Sequence, residues 1–224
     1  METCSEPLKR TIKLFLVVAL LSIAFAYIEA AVVVYLRVIF HPQGFDFPLK
    51  DADVILQNRQ ILLTEIGREA ATIVLILTAA WLAGRSLQQR AAYFLEIFAL
   101  WDIFYYVWLK VLINWPASIM DWDILFLIPT TWASAVLYPV LVSIAMLLFA
   151  AAILYRCARG RPLKVTRLDL LGFLVASVIL VASFCTPGPH ITEADYASHF
   201  YPAIFAIGYA LGLALFAKCL LGPE

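Results

Sequence analysis

The chain is a succession of apolar runs about twenty residues long, and that length decides its fold. Six stretches qualify, at 14–36, 61–83, 91–113, 133–154, 168–184 and 201–220. About 20 mostly apolar residues in a helix cover the roughly 30 Å hydrocarbon core of a bilayer. Membrane barrels need short segments with strict apolar and polar alternation, and these runs are continuously apolar. Charged residues make up 14% of the 224 and hydrophobic residues 64%. A water-soluble domain has about 25% charged residues. The expected fold is therefore all-α: a polytopic integral membrane bundle of six transmembrane helices with short loops. Residues 1–224 are expected to form one transmembrane domain, with no soluble domain among them.

Basic residues give an orientation. Lys9, Arg10 and Lys13 precede the first run, and Arg85 and Arg90 bracket the second connection. Arg156, Arg159, Arg161, Lys164 and Arg167 fill the fourth connection, and Lys218 closes the last run. Six crossings put all of these on one side, the cytoplasmic one by the positive-inside rule. Both termini are then cytoplasmic, in a plasma or inner membrane. The other connections hold Asp46, Asp51, Asp53, Asp121, Asp123, Glu193 and Asp195. The first run begins like a secretory signal but outlasts the 7–15 apolar residues of a signal core, so it is expected to remain as a span. Net charge is zero, which argues against nucleic acid as a partner and leaves membrane lipids as the expected surroundings. Cys4, Cys157, Cys185 and Cys219 show no metal-binding spacing, and no disulfide framework is expected.

Two connections carry local signals. In residues 114–132, Ser118 and Asp121 have capping-box spacing. An interfacial helix is expected from Ile119 to Ile128, ended by Pro129, with Trp115, Trp122 and Trp132 as anchors. Asp121 and Asp123 then point to different sides. In residues 41–60, "DADVILQNRQ" is expected to extend the second helix outward. Gly208 and Gly212 form a G-x-x-x-G, read as close packing within the bundle.

The charges inside the runs are the candidate site. Glu65, Arg68, Glu69 and Thr72 share one helix face, and lipid does not tolerate such a stripe. Glu29 in the first run has Ser22 and Arg37 on or near its face. Asp102 lies near the middle of the third run with Tyr105, Tyr106 and Lys110 nearby. Glu29, Glu69 and Asp102 fall about 8–11 residues from the outer boundary, or roughly 12–16 Å deep. Acids at one level on three consecutive helices suggest one pocket, and Glu29, Glu65, Arg68, Glu69 and Asp102 are the expected ion-, proton- or substrate-binding set. Glu65 and Glu69 repel by roughly 2–3 kcal/mol at about 6 Å, which a proton, a cation or an arginine must offset. The structural alternative is a static ion-pair network, Glu29–Arg68 or Glu69–Arg37. Glu96 is expected to reach toward Arg90 or the interface, and Asp169 to favour a helix N-terminus.

A second cluster lies in "PHITEADYASHFYP". Thr192 and Asp195 have capping-box spacing, so a helix is expected from Glu193, with Asp195 and His199 on one face. Pro202 kinks that helix or starts the sixth afresh. His190, Asp195 and His199 are the candidate metal ligands, though the chain lacks H-E-x-x-H. No motif names a cofactor. Three functions remain open: a carrier or channel for a small ion or solute, a membrane enzyme acting on a lipid with or without a metal, and a structural subunit with a membrane-protein partner.

Overall fold

The computed structural model describes residues 8–49 and 58–222. Cys4, Asp51, Asp53 and the outward extension over 51–57 lie outside the described residues. The chain is mostly helical. Helix α1 spans Leu8–Phe40, α2 Arg59–Ala83 and α3 Leu87–Ile113; α4 spans Leu137–Ala158, α5 Arg167–Cys185 and α6 Pro202–Leu221. Between α3 and α4 lie strands β1, Trp122–Phe126, and β2, Trp132–Ala135. Short 3-10 turns at Gly188–His190 and Tyr196–His199 precede α6.

Among the described residues five helices are long and apolar enough to cross a membrane: α1, α2, α4, α5 with the turn that follows it, and α6. The third expected span forms as the continuous helix α3, which is not one of the five. Several helix ends follow local chemistry. Asn58 caps α2 by accepting from the Ile61 N–H, while Ser86 with Gln89 and Thr166 with Asp169 form capping boxes on α3 and α5. Asp169 thus satisfies its helix start, and Lys218 of α6 lies 2.6 Å from it. Pro202 occupies the first turn of α6, where its missing N–H costs nothing, so α6 starts afresh.

The 114–136 connection corrects the expected interfacial helix. Ser118 and Asp121 close a turn instead: the Asp121 N–H donates to the Ser118 carbonyl at 3.0 Å, and the Asp121 carboxylate accepts from the Ala117 and Ser118 amides. The chain then runs into an antiparallel hairpin in which Trp122 faces Ala135 and Phe126 faces Trp132. Aromatic and β-branched residues suit a pleated surface, and Pro129 falls in the loop, where it interrupts no ladder. The hairpin also takes residues 132–135, so the fourth helix starts at Leu137.

Hydrogen bonds define two ends of the bundle. At one end Gln88 of α3 donates to the Leu163 carbonyl at 2.6 Å and accepts from the Leu163 N–H at 3.0 Å, and Arg156 reaches the Leu220 carbonyl. At the other end the Leu49 N–H donates to the Ile191 carbonyl at 2.9 Å, and Trp122 packs edge-on against Tyr196. The main core joins α1, α2, α3 and α4 through Val18, Ala26, Ile76, Tyr93, Ile97, Trp101 and Leu154. Helices α5 and α6 pack as a pair. Gly208 makes that approach possible, since a Cβ there would stand 3.1 Å from the Ala176 carbonyl oxygen and 3.0 Å from Ile179. Gly212 faces open space, so only the first glycine of the pair serves packing.

Two further expectations are corrected. Glu96 is fully buried and neither carboxyl oxygen has a hydrogen-bond partner among the described residues. Arg90 does not meet it, because its guanidinium donates to the Gly84 carbonyl and stacks on Trp81 at 3.5 Å. Cys157 is disulfide-bonded, whereas Cys185 and Cys219 are free thiols.

Candidate functional site

A cavity of about 480 Å³ opens between the helices below the hairpin. Its walls include Glu29 and Arg37 of α1, Glu65, Arg68 and Glu69 of α2, Asp102, Tyr105 and Tyr106 of α3, and Asp123 of β1. All five residues of the expected binding set therefore face one space. The rest of the wall is largely apolar and aromatic, with Phe94, Phe98 and Trp101 of α3, Phe126 and Trp132 of the hairpin, and Leu180 and Phe184 of α5.

Each carboxylate is held differently. Arg68 bridges two helices: its Nη1 pairs with Glu29 of α1, and its Nη2 lies 2.7 Å from Glu65. The Thr72 hydroxyl donates to Glu29 at 3.4 Å. The α2 stripe thus turns inward because its charges find partners there, which lipid-like surroundings would deny them. Glu69 has no cation within pairing distance among the described residues. Its two oxygens accept from the Leu127 N–H, at 3.0 and 2.9 Å, where the hairpin loop descends onto α2. Asp102 likewise rests on a neutral donor, the Ser143 hydroxyl of α4 at 2.8 Å.

Arg37 corrects one ion pair. Its partner is not Glu69 but Asp123, at 3.0 Å, with both side chains buried. Its guanidinium carbon stands 3.8 Å from the centre of the Trp115 ring and 4.0 Å from that of Phe45. The Tyr105 hydroxyl donates to the other Asp123 oxygen at 3.3 Å. Burial pushes the Asp123 carboxyl up to about 6, against the lowering pull of Arg37 and of its hydrogen bonds. Asp123 is the site residue that helical spacing missed. Strand alternation carries the signal: Asp123 points opposite to Trp122 and Ile124. Lys110 does not join the site, as its ammonium reaches the Asn114 and Pro116 carbonyls at the end of α3. Ser22 is buried and donates to the Val18 carbonyl.

The cavity wall therefore carries five carboxylates against two guanidinium groups, with His41 also on the wall. Full ionisation leaves a negative excess in a low-dielectric space, where unbalanced charge is costly. Such a space favours a proton or another positive group.

The histidine cluster lies in the 186–201 connection, which holds two 3-10 turns, and the expected helix from Glu193 is cut down to the second of them, Tyr196–His199. Gly188 allows the first of them to press against the hairpin loop; a Cβ there would stand 2.1 Å from the Thr131 carbonyl oxygen. The fold stacks His190 on His199 with ring centroids 3.6 Å apart. Glu193, absent from the expected ligand set, lies nearest to His190 at 3.0 Å, while Asp195 stands 3.7 Å from His199.

Comparison with protein-family models, curated proteins and solved structures finds no match for this chain.

Proposed function

We propose that the chain is a six-span integral membrane protein that binds, and carries across a cell membrane, a proton or a small cationic solute with an apolar body. Large apolar side chains such as Leu20, Leu82 and Leu174 stand exposed on the helices, which suits a lipid-facing surface. Counting α3 as a span is supported by the hydrogen bonds that tie its start to Leu163 at one end while its far end meets the hairpin. Orientation rests on the basic loops, with both termini on the cytoplasmic side and the cavity nearer the outer side.

The observation that carries the reading is the pair of carboxylates held by neutral donors. Glu69 on the Leu127 amide and Asp102 on the Ser143 hydroxyl leave the cavity with more acids than bases. Its aromatic and aliphatic walls suit a solute with apolar surface, while the acids supply the polar contacts that fix orientation. Arg68 holds Glu29 and Glu65 in place across two helices and sets the field at Glu69.

The test is transport by purified protein in liposomes. An imposed pH gradient is expected to drive uptake of tetraphenylphosphonium, with matching proton movement reported by a trapped dye. Glu69→Gln is expected to abolish both while the helical circular dichroism stays unchanged. Uptake no greater than in protein-free vesicles, or full uptake by the Gln variant, would overturn the proposal.

A second reading, an integral membrane enzyme acting on a lipid, is favoured by one feature. The cavity wall extends to Ser177 on the exposed face of α5, so an acyl chain has a side entrance from the bilayer. Conversion of a radiolabelled membrane lipid by the purified protein would select this reading over the carrier.

A further inference from the structure

The geometry points to a transition-metal site, of the zinc type, on the 186–201 connection, with His190, Glu193 and His199 as ligands and Asp195 beside His199. It is separate from the carboxylate cavity, and neither proposal depends on the other.

One ligand atom from each of His190, Glu193 and His199 lies within 4.8 Å of the others. The closest approaches are 3.0 Å for His190 Nδ1 to Glu193 Oε2, 3.8 Å for His199 Nε2 to Glu193 Oε2 and 3.7 Å for His199 Nε2 to Asp195 Oδ2. A tetrahedral zinc with bonds near 2.0–2.1 Å holds its ligand atoms about 3.3 Å apart, and the two Glu193 approaches, 3.0 and 3.8 Å, straddle that value. Two imidazoles with a carboxylate form a borderline donor set that suits zinc better than calcium or magnesium, which take oxygen ligands.

A second observation concerns His199 itself. Its Nε2 is buried and has no hydrogen-bond partner among the described residues, although the side chain as a whole is only part-buried. A buried ring nitrogen left unsatisfied is uncommon, and here it points at two carboxylates within 4 Å. A bound cation would satisfy the nitrogen and neutralise both carboxylates. The imidazole lone pair lies in the ring plane, so the stacked rings must tilt apart when the metal enters. The turns that carry them lie on a short connection outside the long helices, where such a tilt disturbs no helix.

The site also has a structural role to play. His190 ends the 3-10 turn that begins at Gly188 against Thr131, and the adjoining Ile191 pairs with Leu49. A metal would therefore clamp the start of α6 to the hairpin and to the segment after α1.

The test uses the full-length protein in detergent, stripped of metal and titrated with Zn²⁺ by calorimetry and with Co²⁺ by visible absorption. One equivalent is expected to bind, with a tetrahedral Co²⁺ spectrum free of thiolate charge transfer. His190→Ala and His199→Ala are each expected to weaken zinc by more than the ~10–100-fold typical of losing a merely supporting group. Asp195→Asn is expected to weaken it less than Glu193→Gln. Should an alanine variant unfold, His199→Gln, which keeps the bulk and a polar end, gives the same comparison. Absence of saturable one-to-one uptake by folded protein would overturn the proposal. So would unchanged affinity in the His190→Ala/His199→Ala double variant, or a thiolate band placing the metal at Cys185 or Cys219.

Discussion

Arg37, near the end of α1, lies 3.0 Å from Asp123, a hairpin residue eighty-six positions later in the chain. Sandwiched against Trp115 and Phe45, this guanidinium locks the hairpin onto the helices and so roofs the carboxylate cavity. The roof then reaches down at Leu127 to hold Glu69. Fold and site are thus coupled: whatever loosens the hairpin also removes the donor that steadies the central acid.

The first prediction concerns pH. Burial raises the Asp123 carboxyl to about 6 from an ordinary 3.8, so between those values the folded state holds a proton that the unfolded state has released. Stability from this group is full below about 4 and declines as pH rises through 6, because above its unfolded value the folded state holds the proton that the unfolded state has lost. Arg37, Tyr105, Tyr106 and Asp102 share its surroundings, so the Asp123→Asn difference isolates the effect. Thermal unfolding of wild type and Asp123→Asn in detergent from pH 4 to 7 checks it. The wild-type melting temperature should fall relative to the variant as pH rises, and parallel curves would refute the assignment.

A second prediction follows from Arg68. Among the described residues it is the one cation that links Glu29 of α1 to Glu65 of α2, with all three side chains largely shielded. Breaking a buried pair by removing one partner costs about 3–5 kcal/mol. Arg68→Ala should lower stability by that order. Arg68→Lys should restore little, because an ammonium lacks the planar fork that meets two carboxylates at once. Removing the charges together, as Arg68→Met/Glu29→Gln/Glu65→Gln, should recover much of the loss. Denaturant titrations of the three proteins decide the matter.

The helical bundle and the inward facing of Glu29, Glu69 and Asp102 onto one cavity were legible because both rest on long-range periodicity. A charged stripe on an apolar helix has to face inward, and 3.6 residues per turn fixes its depth. The hairpin was not legible. Ser118 and Asp121 have the spacing of a capping box, yet the same two side chains also close a turn, and five residues from Trp122 to Phe126 are too few for periodicity to separate strand from helix. Asp123 was lost with that choice, because a helix sends it away from Arg37 whereas a strand sends it inward. Glu193 escaped for a similar reason. Its position beside His190 and His199 comes from two 3-10 turns, which have no periodic signature, and from the close approach of Gly188 to Thr131.

A third prediction separates the two glycines of α6. At Gly208 a new Cβ meets a backbone carbonyl of α5 that cannot step aside, and overpacking costs about 1–3 kcal/mol. Gly208→Val should lower the melting temperature and loosen the α5–α6 pair. Gly212→Ala meets nothing within 4 Å and removes a flexible helix residue, so it should be neutral or stabilising by up to about 1 kcal/mol. If both variants behave alike, the glycine spacing serves an interface elsewhere.

The last prediction is the number of crossings. Helix α3 carries Arg90, Glu96, Asp102 and Lys110 spread along its length, and five crossings without it would put the two termini on opposite sides. Three observations argue for six. Its first turn is bonded to Leu163 in the connection before α5, its middle shares the α1–α4 core at Ile97 and Trp101, and its last turn leads directly into the hairpin that caps α1. Its 27 residues span about 40 Å at 1.5 Å per residue, enough to cover the hydrocarbon thickness between those two ends. The charges are accommodated from within: Arg90 and Lys110 sit near the ends, and Asp102 faces the cavity. Full-length reporter insertions after Arg85, Ser118, Lys164 and Thr192 should therefore alternate, with the first and third on the side of the termini and the second and fourth on the other. Reporters at Arg85 and Ser118 on the same side would remove α3 from the membrane and with it the depth expected to be common to Asp102, Glu29 and Glu69.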